Sequence, residues 1–131
     1  MCAQNHFIKK KSASSVQKTI DKLEAILKEK GIAVFAKINH FQNAKDVDLE
    51  MNKSQAIVFG NPKIGTLMMQ KNIFLSLDLP LKIAVVKDDS EDVWVVYNST
   101  NIFRERYDFS NSEIIEKIDT LLDNITESII K

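Results

Sequence analysis

The segment from Phe59 to Lys82 holds most of the residue types in this chain that could do chemistry. It contains two of the three glycines and both prolines of the protein, and these residues mark turns where a backbone can approach a ligand closely. Gly60 and Gly65 have the four-residue gap of a phosphate-binding loop, and Thr66 follows them. That loop needs a lysine directly after its second glycine. The spacing therefore argues against nucleotide hydrolysis and leaves a simpler anion site as the hypothesis.

The simpler site would use backbone amides near Gly65 and Thr66, with Lys63 supplying a positive charge and Asn61 in the same turn. Pro62 weakens the phosphate-loop interpretation further, because proline has no amide hydrogen to donate to a phosphate oxygen. The segment is thus predicted to hold a small anion rather than a nucleotide.

Asp78 is the acid in this segment whose surroundings suit proton transfer. It stands between Leu77 and Leu79, and an apolar environment raises the pKa of a carboxyl group. The structural alternative is that Asp78 ends a turn or helix before Pro80, a common use of aspartate. The sequence favours the structural alternative and leaves the catalytic one open.

Two basic residues complete the candidate site. His40 ends the second predicted strand, where it is either a hydrogen-bonded core residue or a pocket residue facing the Gly60 loop. Lys82 follows Pro80 at the start of a strand, and its ammonium could face an anionic ligand, Asp78 or solvent. The predicted ligand-binding residues are His40, Gly60, Asn61, Lys63, Gly65, Thr66, Asp78 and Lys82.

Metal ions and cofactors have no ligand pattern in this chain. Cys2 is the single cysteine, which excludes an intramolecular disulfide and indicates a reducing, cytoplasmic setting. His6 and His40 do not have the spacing of metal ligands, and no dinucleotide-binding glycine pattern is present. We expect neither a metal site nor a bound cofactor.

Size and charge limit the classes of partner. The chain has 131 residues, with 18 Lys and Arg against 18 Asp and Glu, so we expect one domain over residues 1–131. A chain of zero net charge does not have the basic surface expected of a general nucleic-acid binder. No apolar run approaches the roughly 20 residues that cross a bilayer, and the first residues do not resemble an export signal. We therefore predict neither a nucleic-acid nor a membrane partner.

Two long amphipathic helices are the clearest elements. The first has a capping-box spacing at Ser14 and Gln17 and ends near Lys30, with Gly31 as a left-handed residue after it. The second has the same spacing at Ser110 and Glu113. Its apolar stripe is formed by Ile114, Ile118, Leu121, Ile125 and Ile129.

The strands that these helices cover follow from runs of alternating or continuous apolar residues. The predicted strands are Asn5–Lys11, Ile32–Phe41, Ser54–Phe59, Leu81–Lys87 and Val93–Tyr97, with short helices at Asn43–Leu49 and Thr66–Asn72. The first strand, ending in three lysines, suits a sheet edge. The acidic residues 88–92 form the turn of a hairpin. The predicted fold is an α+β two-layer sandwich, with a mixed sheet of four to five strands and two long helices on one face.

The last predicted strand also suggests a contact with a second subunit. Trp94 and Tyr97 have opposite parity, so one of these large rings must face away from the main core. Aromatic residues of this kind are enriched in protein interfaces. A subunit interface is therefore one destination for that ring, and a homodimer is the expected assembly once the family resemblance below is included.

The motifs of this chain resemble the domain-of-unknown-function family 302. The resemblance covers residues 5 to 107 and lies in Phe59-Gly60-Asn61-Pro62-Lys63, Gly65-Thr66-Leu67-Met68 and Leu77-Asp78-Leu79-Pro80-Leu81-Lys82. It implies a small α+β domain, cytoplasmic and dimeric, without an established activity. Asn39 stands where the family tends to have an acid before His40, which argues against a carboxylate–histidine pair here. The C-terminal helix is expected to lie outside the resemblance.

Three functions stay open from the sequence. The favoured one is a non-enzymatic, dimeric module that binds or senses a small anion between the Gly60 loop, His40 and Lys82, because no complete catalytic set is present. The second is an enzyme in which Asp78 or His40 transfers a proton, which requires the two side chains to share a pocket. The third is a structural dimerisation domain with its interface at residues 60–81.

Overall fold

The computed structural model describes residues 7–131, so the expectations for Cys2, His6 and the start of the first strand at Asn5 lie outside the described residues. The strands are β1 (Phe7–Ser12), β2 (Ala33–Asn39), β3 (Ser54–Gly60), β4 (Leu81–Lys87) and β5 (Val93–Asn98). The helices are α1 (Val16–Glu29), α2 (His40–Asp46), α3 (Pro62–Lys71), α4 (Asn101–Tyr107) and α5 (Ser112–Ile129). A 3₁₀ helix, η1 (Ile73–Leu77), follows α3.

The five strands form one sheet in the order β1-β5-β4-β3-β2. The α+β class is confirmed, but the expected mixture of parallel and antiparallel pairs is wrong, because all four pairings are antiparallel. The connection from β1 to β2 through α1 places these two strands at opposite edges, so no two parallel strands become neighbours. The edge position of β1 agrees with the prediction.

The N-caps of both long helices lie one residue later than predicted, at Ser15 and Asn111. The Ser15 hydroxyl, not that of Ser14, accepts the amide of Lys18 at 3.1 Å. In α5 the side chain of Asn111 accepts the amide of Ile114 at 3.2 Å. A cap is the residue whose side-chain oxygen reaches an amide two or three positions on, and adjacent polar residues compete for that role. Gly31 has φ +68°, as predicted for a left-handed residue after α1.

The shorter elements differ more from expectation, because asparagine side chains cap helices where the sequence suggests continuing loops or strands. Asn39 accepts the amide of Gln42 at 2.9 Å, so β2 ends there and His40 becomes the first residue of α2. Asn61 accepts the amides of Lys63 and Ile64. As a result α3 begins at Pro62 rather than Thr66. Helix α4 was not predicted at all.

The two faces of the sheet differ in burial. Along β4 and β5 the buried residues Ile83, Val85, Val95 and Tyr97 alternate with partly exposed ones, and the buried side faces the core formed with α1 and α5. The partly exposed side, named here the outer face, comprises Val58, Ala84, Val86, Trp94 and Val96. Trp94 and Tyr97 therefore point in opposite directions, as their parity requires.

The ends of the sheet are also different. The end with the β4–β5 turn carries α2. The other end, where β3 finishes and β4 begins, is closed by α3, η1 and α4, whose buried residues Met68, Leu75 and Phe103 extend the core. The second end positions the candidate site.

Two glycine substitutions test the backbone described here. Gly31→Ala should lower the free energy of unfolding by about 1 kcal/mol, since a positive φ strains any residue with a Cβ. Gly65→Ala should raise it by up to about 1 kcal/mol, because alanine is the better helix former and its Cβ meets only the Met69 Cε, at 3.9 Å.

Urea denaturation of both variants beside the natural chain provides the measurement. Destabilisation by Gly65→Ala would contradict the placement of this residue inside α3.

Candidate functional site

A cavity of about 250 Å³ lies at the end of the sheet closed by η1 and α4. We call it the end cavity. Two stretches of chain form most of its wall, the connection from η1 into β4 and the connection from β5 into α4. Its lining residues are Val58, Leu77, Asp78, Leu79, Pro80, Leu81, Lys82, Tyr97, Asn98, Ser99, Thr100, Ile102, Phe103 and Leu122.

Asp78 joins the η1–β4 wall of the cavity to the C-terminal end of α4. Its Oδ2 accepts a short hydrogen bond from the Tyr107 hydroxyl and lies 3.1 Å from a guanidinium nitrogen of Arg106. The Asp78 side chain is 16% exposed. A charged acceptor strengthens such bonds, so the carboxylate joins the end of η1 to the end of α4.

Other contacts support the same junction. The Asn72 side chain donates to the backbone carbonyl of Tyr107 at 3.0 Å, from the residue that caps η1. The pKa of Tyr107 is raised above its ordinary value by desolvation and by the hydrogen bond to Asp78. The Tyr107 hydroxyl therefore stays protonated and donates a hydrogen bond to Asp78. This arrangement matches the structural alternative for Asp78, extended by a contact across the fold.

Lys82 is the charged residue at the cavity that has no ion pair within residues 7–131. It lines the end cavity at the start of β4 and is exposed. Its ammonium makes no hydrogen bond or ion pair with another residue of the range 7–131, and Asp78 pairs with Arg106 instead. The charged residues that line the cavity are thus Asp78, which is paired with Arg106, and Lys82, which has no partner in that range.

Neutral polar groups come from the β5–α4 connection. The Ser99 hydroxyl accepts the amide of Asn101 at 3.2 Å, and the Thr100 hydroxyl donates to Asp119 at 2.7 Å. The Asn98 side chain is exposed and lines the cavity. Asn98 and Ser99 therefore can offer hydrogen bonds to a ligand beside Lys82.

The structure brings together only part of the predicted site. Asp78 and Lys82 line the end cavity, and Gly60 lies at its edge, where a Cβ would be 3.4 Å from the Cβ of Pro80. Asn61 caps α3 and is exposed. The loop expected after Gly60 is therefore the start of α3, which begins at Pro62.

The amides proposed to hold an anion are used inside α3. The Gly65 amide donates to the Asn61 carbonyl at 2.9 Å, and Thr66 lies within the same helix. Lys63 is exposed in its first turn. None of these three residues lines the end cavity, because helix formation from Pro62 onward directs their amides along the helix axis.

His40 lies at the opposite end of the sheet. The register pairs Asn39 with Gln55 and Ala33 with Gly60. Five residues of β3, about 17 Å at the usual rise of a strand, therefore separate the level of His40 from that of Gly60. His40 is exposed. A pocket shared by His40 and Asp78, which the enzyme hypothesis requires, is not formed.

Sequence reasoning missed Arg106, Tyr107, Asn98 and Ser99. No sequence motif singles out Arg106 or Tyr107. Their separation from Asp78 by about 30 positions hides the contact. The end of an apolar strand followed by Asn98-Ser99-Thr100 was the available signal, because binding residues collect where strands end.

Metal and membrane features are absent from the part of the chain that is described. No group of three His, Cys, Asp or Glu side chains between residues 7 and 131 is placed to hold a metal ion. Over the same residues, no helix combines the length and apolar character needed to cross a bilayer.

The fold and the end cavity define a small α+β domain with one antiparallel sheet. Residues 8–125 match the family model described as domain of unknown function DUF302, and the chain belongs to this family. The match includes most of α5, so the expectation that the C-terminal helix lies outside the resemblance is wrong.

A solved structure shares the fold. The uncharacterized conserved protein DUF302 from Bacillus stearothermophilus superposes with a TM-score of 0.83, covering 96% of this chain and 98% of that one, at 16% identity. Identity this low shows the common fold alone.

Curated relatives are longer proteins. Over 96 residues, or 73% of this chain, it is 34% identical to fluoride-specific ion channel FluC 1 of Brucella suis and to FluC 1 of Brucella abortus. The chain spans 38% and 36% of their lengths, respectively.

The contact made by Asp78 gives a stability prediction. Asp78→Ala removes the acceptor of Tyr107 and the ion partner of Arg106, so it should lower the free energy of unfolding by about 1–3 kcal/mol. Urea denaturation measures the change. The control Glu50→Ala removes an exposed carboxylate and should change it by less than about 0.5 kcal/mol. Equal effects of the two substitutions would contradict a structural role for Asp78.

Proposed function

We propose that this chain is a homodimeric module that binds a small anion in the end cavity. The observation that carries the proposal is the lysine at the cavity, Lys82, whose ammonium has no ionic partner within residues 7–131. The carboxylate in the same wall, Asp78, is neutralised by Arg106 at 3.1 Å. An entering anion therefore meets attraction from Lys82, while the one carboxylate among these residues that lines the cavity is already paired.

The supply of hydrogen-bond donors agrees with this ligand class. An ammonium offers three donors, and the Asn98 side chain adds an amide at the adjacent strand end. The relatives that carry a similar segment are named for fluoride, an anion. Binding without catalysis is favoured because Asp78 is held by two partners and His40 lies at the other end of the sheet.

Replacement of Lys82 tests the anion site. Lys82→Met keeps much of the aliphatic stem and removes the charge, so it should weaken binding of a responsive anion by tenfold or more, given the usual 1.5–3 kcal/mol of a charged hydrogen bond. Thermal-shift titration of the natural chain with fluoride, phosphate, sulfate, acetate and longer carboxylates finds the anion, and calorimetry then compares the variants.

The matched control is Lys63→Met, which removes an exposed lysine of α3 outside the cavity. Its anion affinity should equal that of the natural chain. Loss of binding in Lys63→Met with retention in Lys82→Met would return the site to the α3 start. Absence of stabilisation by every anion would overturn the proposal.

The outer face of the sheet supports the homodimer. Its centre is apolar, with Val58, Ala84, Val86 and Val96 partly exposed. The register places the exposed lysines of the same face, Lys9, Lys11 and Lys82, at its margins. Five strands about 4.8 Å apart and six residues long give a face of about 480 Å². Two copies would therefore bury about 1,000 Å², the lower limit of a specific interface. The net charge of the whole chain is zero, so repulsion between two copies comes only from these marginal lysines.

Sedimentation tests this interface. The natural chain should sediment at twice its 14.9 kDa, and Val96→Glu should sediment as a monomer, because an unpaired charge cannot be buried between apolar faces. The control Asn124→Glu adds the same charge at an exposed position of α5 and should stay dimeric. A monomeric natural chain, or a dimer indifferent to Val96→Glu, would overturn the interface.

A further inference from the structure

We infer that the ligand of the end cavity is an amphiphilic monocarboxylate, an anionic head on an apolar body of about eight carbons. This inference rests on the proposed anion site and deepens it by naming the chemical class of the ligand. The inference predicts that the cavity binds hydrophobic carboxylates more tightly than inorganic anions such as fluoride and phosphate.

The apolar part of the wall carries the first half of the argument. About half of the exposed lining is apolar, and eight lining residues have wholly apolar side chains: Val58, Leu77, Leu79, Pro80, Leu81, Ile102, Phe103 and Leu122. A small inorganic anion satisfies only the polar residues and leaves this apolar surface in contact with water. An acyl or aryl group would cover it, and burial of apolar surface is favourable.

Leu77 shows where that apolar body would lie. Its side chain is 71% exposed although it lines the cavity, whereas Leu75 on the other side of η1 is fully buried. A leucine so exposed beside a cavity gains contact area when a ligand enters. Leu77 therefore forms the wall that a ligand completes.

The volume limits the size of the ligand. A cavity of roughly 150 Å³ accommodates benzene, with six non-hydrogen atoms. On this scale the end cavity, at about 250 Å³, accommodates about ten non-hydrogen atoms. Octanoate and phenylacetate have this size, and longer acyl chains exceed it.

The charge limits the head group. Among the lining residues, Asp78 is paired with Arg106 and Lys82 has no ionic partner within residues 7–131. Asp119 lies behind the wall, where it accepts the Thr100 hydroxyl, so Lys82 offers one positive charge for the ligand to neutralise. A monoanion matches it, whereas a phosphate dianion would carry an unmatched charge into a half-apolar site. A single carboxylate attached to an apolar chain meets both requirements.

Calorimetric titration of the full chain with acetate, butyrate, hexanoate, octanoate and decanoate tests the inference. Affinity should rise about fourfold for each added methylene from butyrate to octanoate, the factor expected for burial of one methylene, and should not rise further at decanoate. Octan-1-ol, which has the same chain without the charge, should bind at least tenfold more weakly than octanoate.

Two variants locate the apolar body. Leu77→Ser should weaken octanoate about tenfold and leave acetate unchanged, because it removes only the contact with the chain. Ile73→Ser is the matched control: Ile73 is a 66% exposed residue of the same 3₁₀ helix that does not line the cavity, and octanoate affinity should be unaffected. Equal effects of the two serine variants would overturn the placement of the ligand.

The titrations distinguish failure of the inference from failure of the proposed function. Fluoride or phosphate binding more tightly than octanoate, with loss in Lys82→Met, overturns the inference and supports the anion site. Octan-1-ol binding as tightly as octanoate overturns both, since the charge would then be irrelevant. Absence of binding by every carboxylate and inorganic anion also overturns both.

Discussion

The carboxylate of Asp78 is the contact on which the shape of the candidate site depends. It receives the Tyr107 hydroxyl and lies against Arg106, and so joins the connection from η1 into β4 to the C-terminal end of α4. A half-buried carboxylate needs such partners, because desolvation without them is costly. The contact therefore holds the η1–β4 wall against α4 and neutralises a charge that would repel an anion.

That neutralisation determines what the cavity can attract. With Asp78 paired to Arg106, Lys82 is the unpaired charge of the wall within residues 7–131, and the exposed lining is about half polar and half apolar. The cavity thus combines apolar and polar groups, and the proposed ligand depends on this combination. The chain belongs to the DUF302 family and shares its fold with the Bacillus stearothermophilus protein. This common scaffold does not identify a ligand, so the proposed ligand rests on the local chemistry of the cavity.

Prediction from sequence succeeded where a pattern is local and repeated. The stripe of α5 and the hairpin of β4 and β5 follow from the spacing of apolar residues, since one face of each must be buried. It failed where one polar side chain decides the backbone. Asn39 and Asn61 begin helices by accepting amide protons, and nothing in their spacing distinguishes these caps from turn residues. The same two caps moved His40 out of its predicted strand and placed Gly65 inside a helix.

The chain by itself determined the α+β class, the strands β3 to β5, the two long helices and the family, because these depend on periodicity and on motifs contained in short segments. Only the tertiary structure decided the site. It placed Asp78 against Tyr107 and Arg106, nearly 30 residues further along the chain, and put His40 at the far end of the sheet. The physical reason is that strand register and helix caps set distances between remote residues, and a carboxylate pairs with whichever donors the fold brings within hydrogen-bonding range.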